Sequence, residues 1–384
     1  MRHDEQRLAS LDAFRGFTIA AMLLVNNPGD WAHLYGPLAH AEWHGWTFTD
    51  WIFPFFVFIS GVAMHISLGR RAAAGAARQA LLLQTWRRGL VIIAIGLALN
   101  LIPAFHPETL RWPGVLQRLG LCTLLAAPLA LLLSWRQQLA AALALLGLYS
   151  LLMLCVPVPD AQGVWHVGSL QPGEDTGAWL DRALMDGHLW AKSKHWDPEG
   201  LLSTLPALAS QIAGLLTGHW LMARRAPVEK AMWFMVSGLA CLWLGQLLDA
   251  WLMPINKNLW TPAYTVAMTG WACLLFGSFY WLLDAMPLPL LRARLARWAR
   301  PLQVFGMNAL FIFALSGLVA KLLGFVKLAQ PDGSQRTLKA LLYAPIQALE
   351  LAPRNASLLF ALAFCASMYL VAWVMWRRRW FVKV

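Results

Sequence analysis

Residues 48–68 read FTDWIFPFFVFISGVAMHISL, and Asp50 is the only Asp, Glu, Lys or Arg among them. A helix of this length, at ~1.5 Å per residue, crosses a hydrocarbon core of ~30 Å. Comparable apolar runs precede it at 11–27 and follow it at 89–105, 113–134, 139–156, 200–222, 231–253, 261–286, 302–325 and 356–376. The pattern predicts an all-α polytopic membrane protein of about ten transmembrane helices, with residues 1–384 forming a single domain.

The composition agrees with that reading. Hydrophobic residues make up 59%, charged residues 13%, and the mean hydropathy is +0.53. Soluble domains carry roughly 25% charged residues, so lipid is the natural solvent here. The 22 tryptophans suit the two membrane–water interfaces. The formal net charge of +12 raises the question of nucleic acid. The basic residues sit mainly between apolar runs, however, and no basic groove interleaved with aromatics is present, so nucleic acid is excluded. All five cysteines lie inside apolar runs without a metal-like spacing and read as packing residues.

Lys and Arg set the expected orientation. Of 31, 20 fall in the connecting segments on the side of the N-terminus, nine on the other side, and two, Arg118 and Lys321, within spans. The positive-inside rule then puts both termini in the cytoplasm, which needs an even number of spans. The first run, preceded by Arg2 and Arg7, lacks a small-residue cleavage site and reads as a retained anchor. Stretches 288–300 and 336–351 suit amphipathic interfacial helices. Loops 28–47 and 157–199 lie outside the membrane and are expected to cap an outward-facing site.

Charged and amide groups inside spans mark sites or buried pairs. Asp12 and Arg15, three apart on one helix, are either a self-neutralising pair or part of a binding set. Gln117 and Arg118 have no local acidic partner and are ligand-binding candidates. Asp50 opens its helix, where a carboxylate serves equally as a cap or as a catalytic group. The densest set is Asn26, Asn27, Asp30, His33, His40, Glu42, His44 and Asp50. His40 and His44 are four apart, but Ala41 follows the first where a zincin helix needs Glu, so no metal is expected. A general base fits these histidines better, since imidazole accepts protons near neutrality. The residues alone leave His33, His40 and His44 equivalent.

Several blocks resemble one family. They are Leu11-Asp12-Ala13-Phe14-Arg15-Gly16, Val25-Asn26-Asn27-Pro28-Gly29, His40-Ala41-Glu42-Trp43-His44-Gly45-Trp46 and Thr49-Asp50-Trp51-Ile52-Phe53-Pro54. Further on come Pro113-Gly114-Val115-Leu116-Gln117-Arg118, Trp196-Asp197-Pro198-Glu199-Gly200, Ile255-Asn256-Lys257-Asn258-Leu259-Trp260-Thr261 and Gly306-Met307-Asn308-Ala309-Leu310. Together they resemble the transmembrane acyltransferase family that includes heparan-α-glucosaminide N-acetyltransferase, in its short bacterial branch linked with N-acetylglucosamine metabolism. The resemblance implies transfer of acetyl from cytoplasmic acetyl-CoA to the amine of a glucosamine-type sugar on the far side of a bacterial inner membrane. It singles out His40 as the active histidine, with Asn26 as the first-span asparagine. Asp50 is the expected partner orienting His40, and Asn27 a second amide for the thioester. Asn256, Lys257, Trp260 and Asn308 join Asp12, Arg15, Gln117 and Arg118 as binding candidates. The lysosomal member's extra N-terminal domain has no counterpart here, which favours small amino sugars over polymers. Expected partners are acetyl-CoA, the sugar and membrane lipid, with a homodimer an open alternative to a monomer.

Two rival classes remain at this point. A sugar or glycolipid transporter would use prolines such as Pro54 and Pro128 to break helices around a midplane site. A related acyltransferase would use another acceptor, such as peptidoglycan or a lipid-linked sugar.

Overall fold

The computed structural model describes residues 8–331 and 333–382. Arg2, Arg7 and Lys383, three of the basic residues used for orientation, lie outside the described residues. The long helices are α1 (Ala9–Asn26), α2 (Phe48–Ala73), α3 (Arg78–Leu101), α4 (Val115–Leu132) and α5 (Trp135–Cys155). A short α6 (Thr176–Met185) sits in the following loop. Then come α7 (Thr204–Met222), α8 (Pro227–Trp251), α9 (Pro262–Tyr280), α10 (Pro289–Trp298), α11 (Arg300–Met307), α12 (Ala309–Phe325), α13 (Leu338–Gln347) and α14 (Pro353–Arg377). Sheet is confined to two small hairpins. Val158–Pro159 (β1) pairs with Trp165–His166 (β2), and Lys327–Ala329 (β3) with Gln335–Thr337 (β4), both antiparallel.

Local chemistry sets the helix starts. Pro227, Pro262 and Pro353 open α8, α9 and α14, where the missing N–H has no intrahelical partner to lose. Thr47 with Asp50, and Ser134 with Gln137, form capping boxes at α2 and α5. α3 starts at Arg78, well before the expected 89, so Arg87 and Arg88 lie within the helix rather than in a loop. The expected run 302–325 is not one rod: α11 and α12 meet at 80° across Asn308. The amphipathic stretches 288–300 and 336–351 correspond to α10 and α13.

Among the described residues, seven helices are long and apolar enough to cross a membrane, or eight if α11 and α12 count as one span. The protein is an all-α polytopic membrane protein. Large apolar side chains remain exposed on its flanks, including Leu90 on α3, Leu151 on α5, Trp243 on α8 and Leu370 on α14. These suit contact with lipid. α1 and α7 are more polar because they run through the interior. Gln211 of α7, fully buried, donates to Ser60 Oγ of α2 at 2.9 Å. Glycines bring these backbones together: a Cβ on Gly61 of α2 would lie 2.1 Å from the Gln211 carbonyl oxygen. Gly16 of α1 meets the Leu302 carbonyl of α11 in the same way. Such small-residue contacts are the usual means of close helix approach where lipid supplies no hydrophobic drive.

The loops at one end of the bundle are tied to one another. Trp43 Nε1 donates to Leu170 O, Gly45 N to Ile255 O, and Gly29 N to Ser357 O. At the other end Asp284 accepts from Ala9 N and Ser10 N, while Asn308 Nδ2 donates to Trp380 O. Leu8 and Val382 therefore lie at the same end, opposite the loop that carries His40.

Candidate active site

The loop after α1 is shaped by its own polar groups. Asn27 turns inward and donates to Leu23 O at 2.8 Å, closing the helix, whereas the preceding Asn26 is exposed. A 3-10 turn at Gly36–Leu38 leads to Ala39 and His40. Thr47, which caps α2, donates its hydroxyl to Ala39 O at 2.5 Å and fixes where His40 leaves the turn.

Asp50 sits one turn into α2, buried to 1% exposure, at the positive end of the helix dipole. Its Oδ2 accepts from Ala41 N at 3.1 Å and Thr47 N at 2.9 Å. Its Oδ1 lies 2.6 Å from His40 Nδ1. A carboxylate is acceptor-only, so this contact assigns the proton to Nδ1 and leaves the Nε2 lone pair open. The His40 side chain is 48% exposed.

A second loop approaches from the α8–α9 junction. Gly45 and Asn256 form an isolated bridge, and Asn256 Nδ2 meets His44 Nδ1 at 3.3 Å. Asn256 Oδ1 also accepts from Leu259 N, so its amide organises the loop. This clamp carries Lys257 to His40, with Nζ 3.4 Å from both ring nitrogens. Trp260, buried and at φ 53°, donates its indole N–H to Ser210 Oγ at 3.1 Å. Tyr264 donates to the Asp50 carbonyl at 2.6 Å.

The third contributor is the segment before α7. Arg111 grips Asp197 through two nitrogens, at 2.8 and 2.5 Å, and reaches Glu199 at 2.6 Å. Arg118, fully buried on α4, donates to Pro198 O, Gly200 O and Ser203 Oγ, and lies 5.3 Å from the Trp260 ring centroid. Burial works against the charged form of Glu199, but Arg111, Lys257 and Arg118 outweigh it and hold its carboxyl below the usual range. Burial pushes the Lys257 ammonium down, opposed by Glu199 and Asp50. Nearby, burial raises Asp175 to about 6 and Asp181 to about 7.

Of the residues singled out from sequence, His40, Asp50, Arg118, Asn256, Lys257 and Trp260 are thus linked in one cluster, and Gln117 adjoins it beside Arg118. Asn26 and Asn27 end α1 on the same side. Asp12 and Arg15 pair at 3.2 Å at the opposite end, and Arg15 also reaches Gly306 O. Asn308 lies there too, its amide engaged by Trp380 and Val382. Residue reasoning gave no role to Arg111, Asp197, Glu199 or Tyr264. For Asp197 and Glu199 a signal existed, since the block Trp196–Gly200 was among the resembling stretches.

Residues 7–179 match the family model described as heparan-alpha-glucosaminide N-acetyltransferase, catalytic. This chain is related to those proteins. The human heparan-alpha-glucosaminide N-acetyltransferase (Homo sapiens) is 28% identical over 360 residues, covering 80% of this chain and 52% of the relative. The mouse protein of the same name (Mus musculus) is 28% identical over 364 residues, covering 81% and 53%. The chain spans about half the length of the curated relatives it matches. The family match contains His40, Asp50 and Arg118 but ends before Glu199 and Lys257.

Proposed function

We propose that this protein is a membrane-embedded N-acetyltransferase that moves acetyl from acetyl-CoA to the amine of a glucosamine-type sugar. The observation that carries this reading is the His40–Asp50 contact at 2.6 Å, with the imidazole exposed and the carboxylate buried behind it. That is the arrangement of a general base held in one tautomer.

In the direct mechanism His40 Nε2 takes the proton of the sugar amine as its nitrogen attacks the thioester carbonyl. The new C–N bond forms, the C–S bond breaks, and the proton returns to the departing CoA thiolate. Asp50 supports the transient imidazolium. Lys257, with Nζ 3.4 Å from the ring, offers a cationic donor to developing negative charge on the carbonyl oxygen. Of the two candidate amides for the thioester, Asn26 is exposed at the end of α1, whereas Asn27 donates to Leu23 O. In the two-step alternative Nε2 itself accepts the acetyl group before the amine does. Incubation with acetyl-CoA alone separates them: a base leaves the protein unmodified, whereas a nucleophile leaves acetyl on His40 and releases CoA.

The donor's phosphates suit the arginine-rich end opposite His40, and its uncharged arm suits a path between helices. We assign that end to the cytoplasm of a bacterial cell and the His40 end to the outer side of its inner membrane, with ten crossings. In a cysteine-free background, cysteines at Ala73 and Ala226 should label only from the cytoplasm and at Gln171 only from outside. Labelling of Gln171→Cys and Ala226→Cys from one side would overturn the arrangement. The activity itself is tested with purified protein, acetyl-CoA and a panel of amino sugars. Formation of N-acetylglucosamine is expected, and its absence with every amine in the panel would reject the assignment.

A further inference from the structure

Beside the cluster lies a cavity of about 360 Å³ between α3, α4 and the start of α7. This falls within the ~300–1,000 Å³ typical of small-molecule sites. Its walls differ in chemistry. Ile93 and Leu97 of α3 and Leu121 of α4 form an apolar side, while Gln117, Arg118 and Glu199 form a polar back. Gln117 is 94% buried, yet among the described residues its Nε2 has no hydrogen-bond partner, and neither has Arg118 Nε. A buried amide left unpaired is costly, so a ligand acceptor at this wall would be favoured. The carboxamide is confined there by Gly96 and Gly114, since a Cβ on either would overlap it.

The apolar side continues onto the outer surface of the bundle. Leu125, one turn beyond Leu121, is 47% exposed, and Leu90, one turn before Ile93, is 58% exposed. The mouth carries Trp112 and Leu201, both more than 40% exposed. The polar back belongs to the catalytic cluster through Glu199, which acts on Lys257, itself 3.4 Å from His40. A free sugar would leave hydroxyls facing leucine and isoleucine without partners. An alkyl chain alone would leave Gln117 unpaired.

From this we infer that the cavity receives the aliphatic aglycone of the acceptor: the substrate is an amphipathic amino sugar, its chain entering sideways from the bilayer along α3 and α4. The sugar then meets Gln117 and the Glu199 edge of the cluster. This rests on the acetyltransferase reading above.

The test compares glucosamine with its methyl, butyl and octyl β-glycosides as acceptors, using protein in lipid nanodiscs with acetyl-CoA. In the wild type kcat/KM should rise with chain length, by at most about fourfold per methylene. Ile93→Trp and Leu121→Trp fill the cavity and should bring the octyl glycoside down to the methyl glycoside's value; Leu97→Phe serves if either misfolds. A flat dependence in the wild type, or an unchanged dependence in the filled variants, overturns the proposal, the latter because it would reflect bilayer partition alone. A raised KM for acetyl-CoA in the filled variants also overturns it, by assigning the cavity to the donor. If no amino sugar is acetylated, the enzymatic reading fails separately. The cavity is then read from equilibrium binding of radiolabelled octyl glucosaminide to the nanodisc protein: saturable binding to the wild type that the filled variants lose upholds it, and equal binding to both, or none, rejects it.

Discussion

At one end of the bundle Asp284 accepts from Ala9 N and Ser10 N, and Asn308 joins the α11–α12 bend to Trp380 and Val382. At the other end Asp50 accepts from Ala41 N and Thr47 N, but its second oxygen faces an exposed imidazole. Both carboxylates hold backbone N–H groups near a helix start. Only Asp50 has capacity beyond that, directed at a group able to carry a proton. The tryptophans follow the same division. At the first end arginines stack on them, as Arg300 on Trp376 and Arg377 on Trp373, which suits interfacial anchoring. At the second, Trp260 is buried and holds a loop. A polar cluster at a membrane face thus signals chemistry when its hydrogen bonds end on an accessible side chain, and anchoring when they end on backbone.

The largest break in this contrast is expected at His40. His40→Ala should lower acetyl transfer by ~10²–10⁴-fold if the imidazole is a base, and remove it almost entirely if it is a nucleophile. Acetyl-CoA should still raise the unfolding temperature of that variant, since the phosphates are assigned to the other end. Near-normal turnover would overturn the site.

A smaller effect is expected at Lys257. Lys257→Met should reduce turnover on the order of tenfold, equivalent to ~1.4 kcal/mol of lost transition-state stabilisation. Lys257→Arg should restore most of the rate. Turnover in Lys257→Met close to that of the wild type would show that the ammonium takes no part in the transfer step.

Much of the fold was legible because hydropathy is local: all ten expected runs are helical, and residues 48–68 fall within α2. What was not legible came from contacts between distant segments. The expected runs 11–27 and 200–222 form α1 and α7, but that their polar groups face protein could not be read from composition. The 80° bend at Asn308 has no proline to announce it. In the site, Asp50 and His40 are ten residues apart and their pairing could be conceived from sequence. Lys257 lies 217 residues from His40, and Arg111 lies 86 from Asp197, so only the fold joins them.

The loop that carries Asp181 should also differ from the end opposite His40 in its response to pH. Burial raises Asp181 to about 7 from 3.8, with Asp197 and Asp175 adding to the rise and Arg118 opposing it. A raised folded-state value means that the protonated form is the one the fold favours. Stability is then greatest below the ordinary carboxylate range and is lost as pH rises through about 7. The loss is of order 2–4 kcal/mol. Asp181→Asn keeps an acceptor for Leu201 N, which donates at 2.8 Å, and should lessen the decline in thermal stability between about pH 4 and pH 7, leaving the part that Asp175, raised to about 6, contributes. A variant whose stability declines as steeply as that of the wild type would place the titrating group elsewhere.

An effect on stability alone is expected at the end opposite His40, where Asn308 tests whether its amide serves the tail or a ligand. Its Nδ2 donates to Trp380 O and its Oδ1 accepts from Val382 N, both at 3.0 Å, so the two sides of the carboxamide are occupied by backbone. Removing two such bonds should cost about 1–3 kcal/mol, since each contributes ~0.5–1.5 kcal/mol net. Asn308→Ala should therefore lower the unfolding temperature by a few degrees and free the residues after Arg379, visible as faster proteolysis there. Asn308→Asp keeps the acceptor for Val382 N but turns a carboxylate oxygen toward Trp380 O at a buried position, and should destabilise at least as much as the alanine. The KM for acetyl-CoA should stay close to that of the wild type in both. A several-fold rise in that KM with little change in stability would instead return Asn308 to the donor site, and the end opposite His40 would then share the chemistry that the contrast reserves for the His40 end.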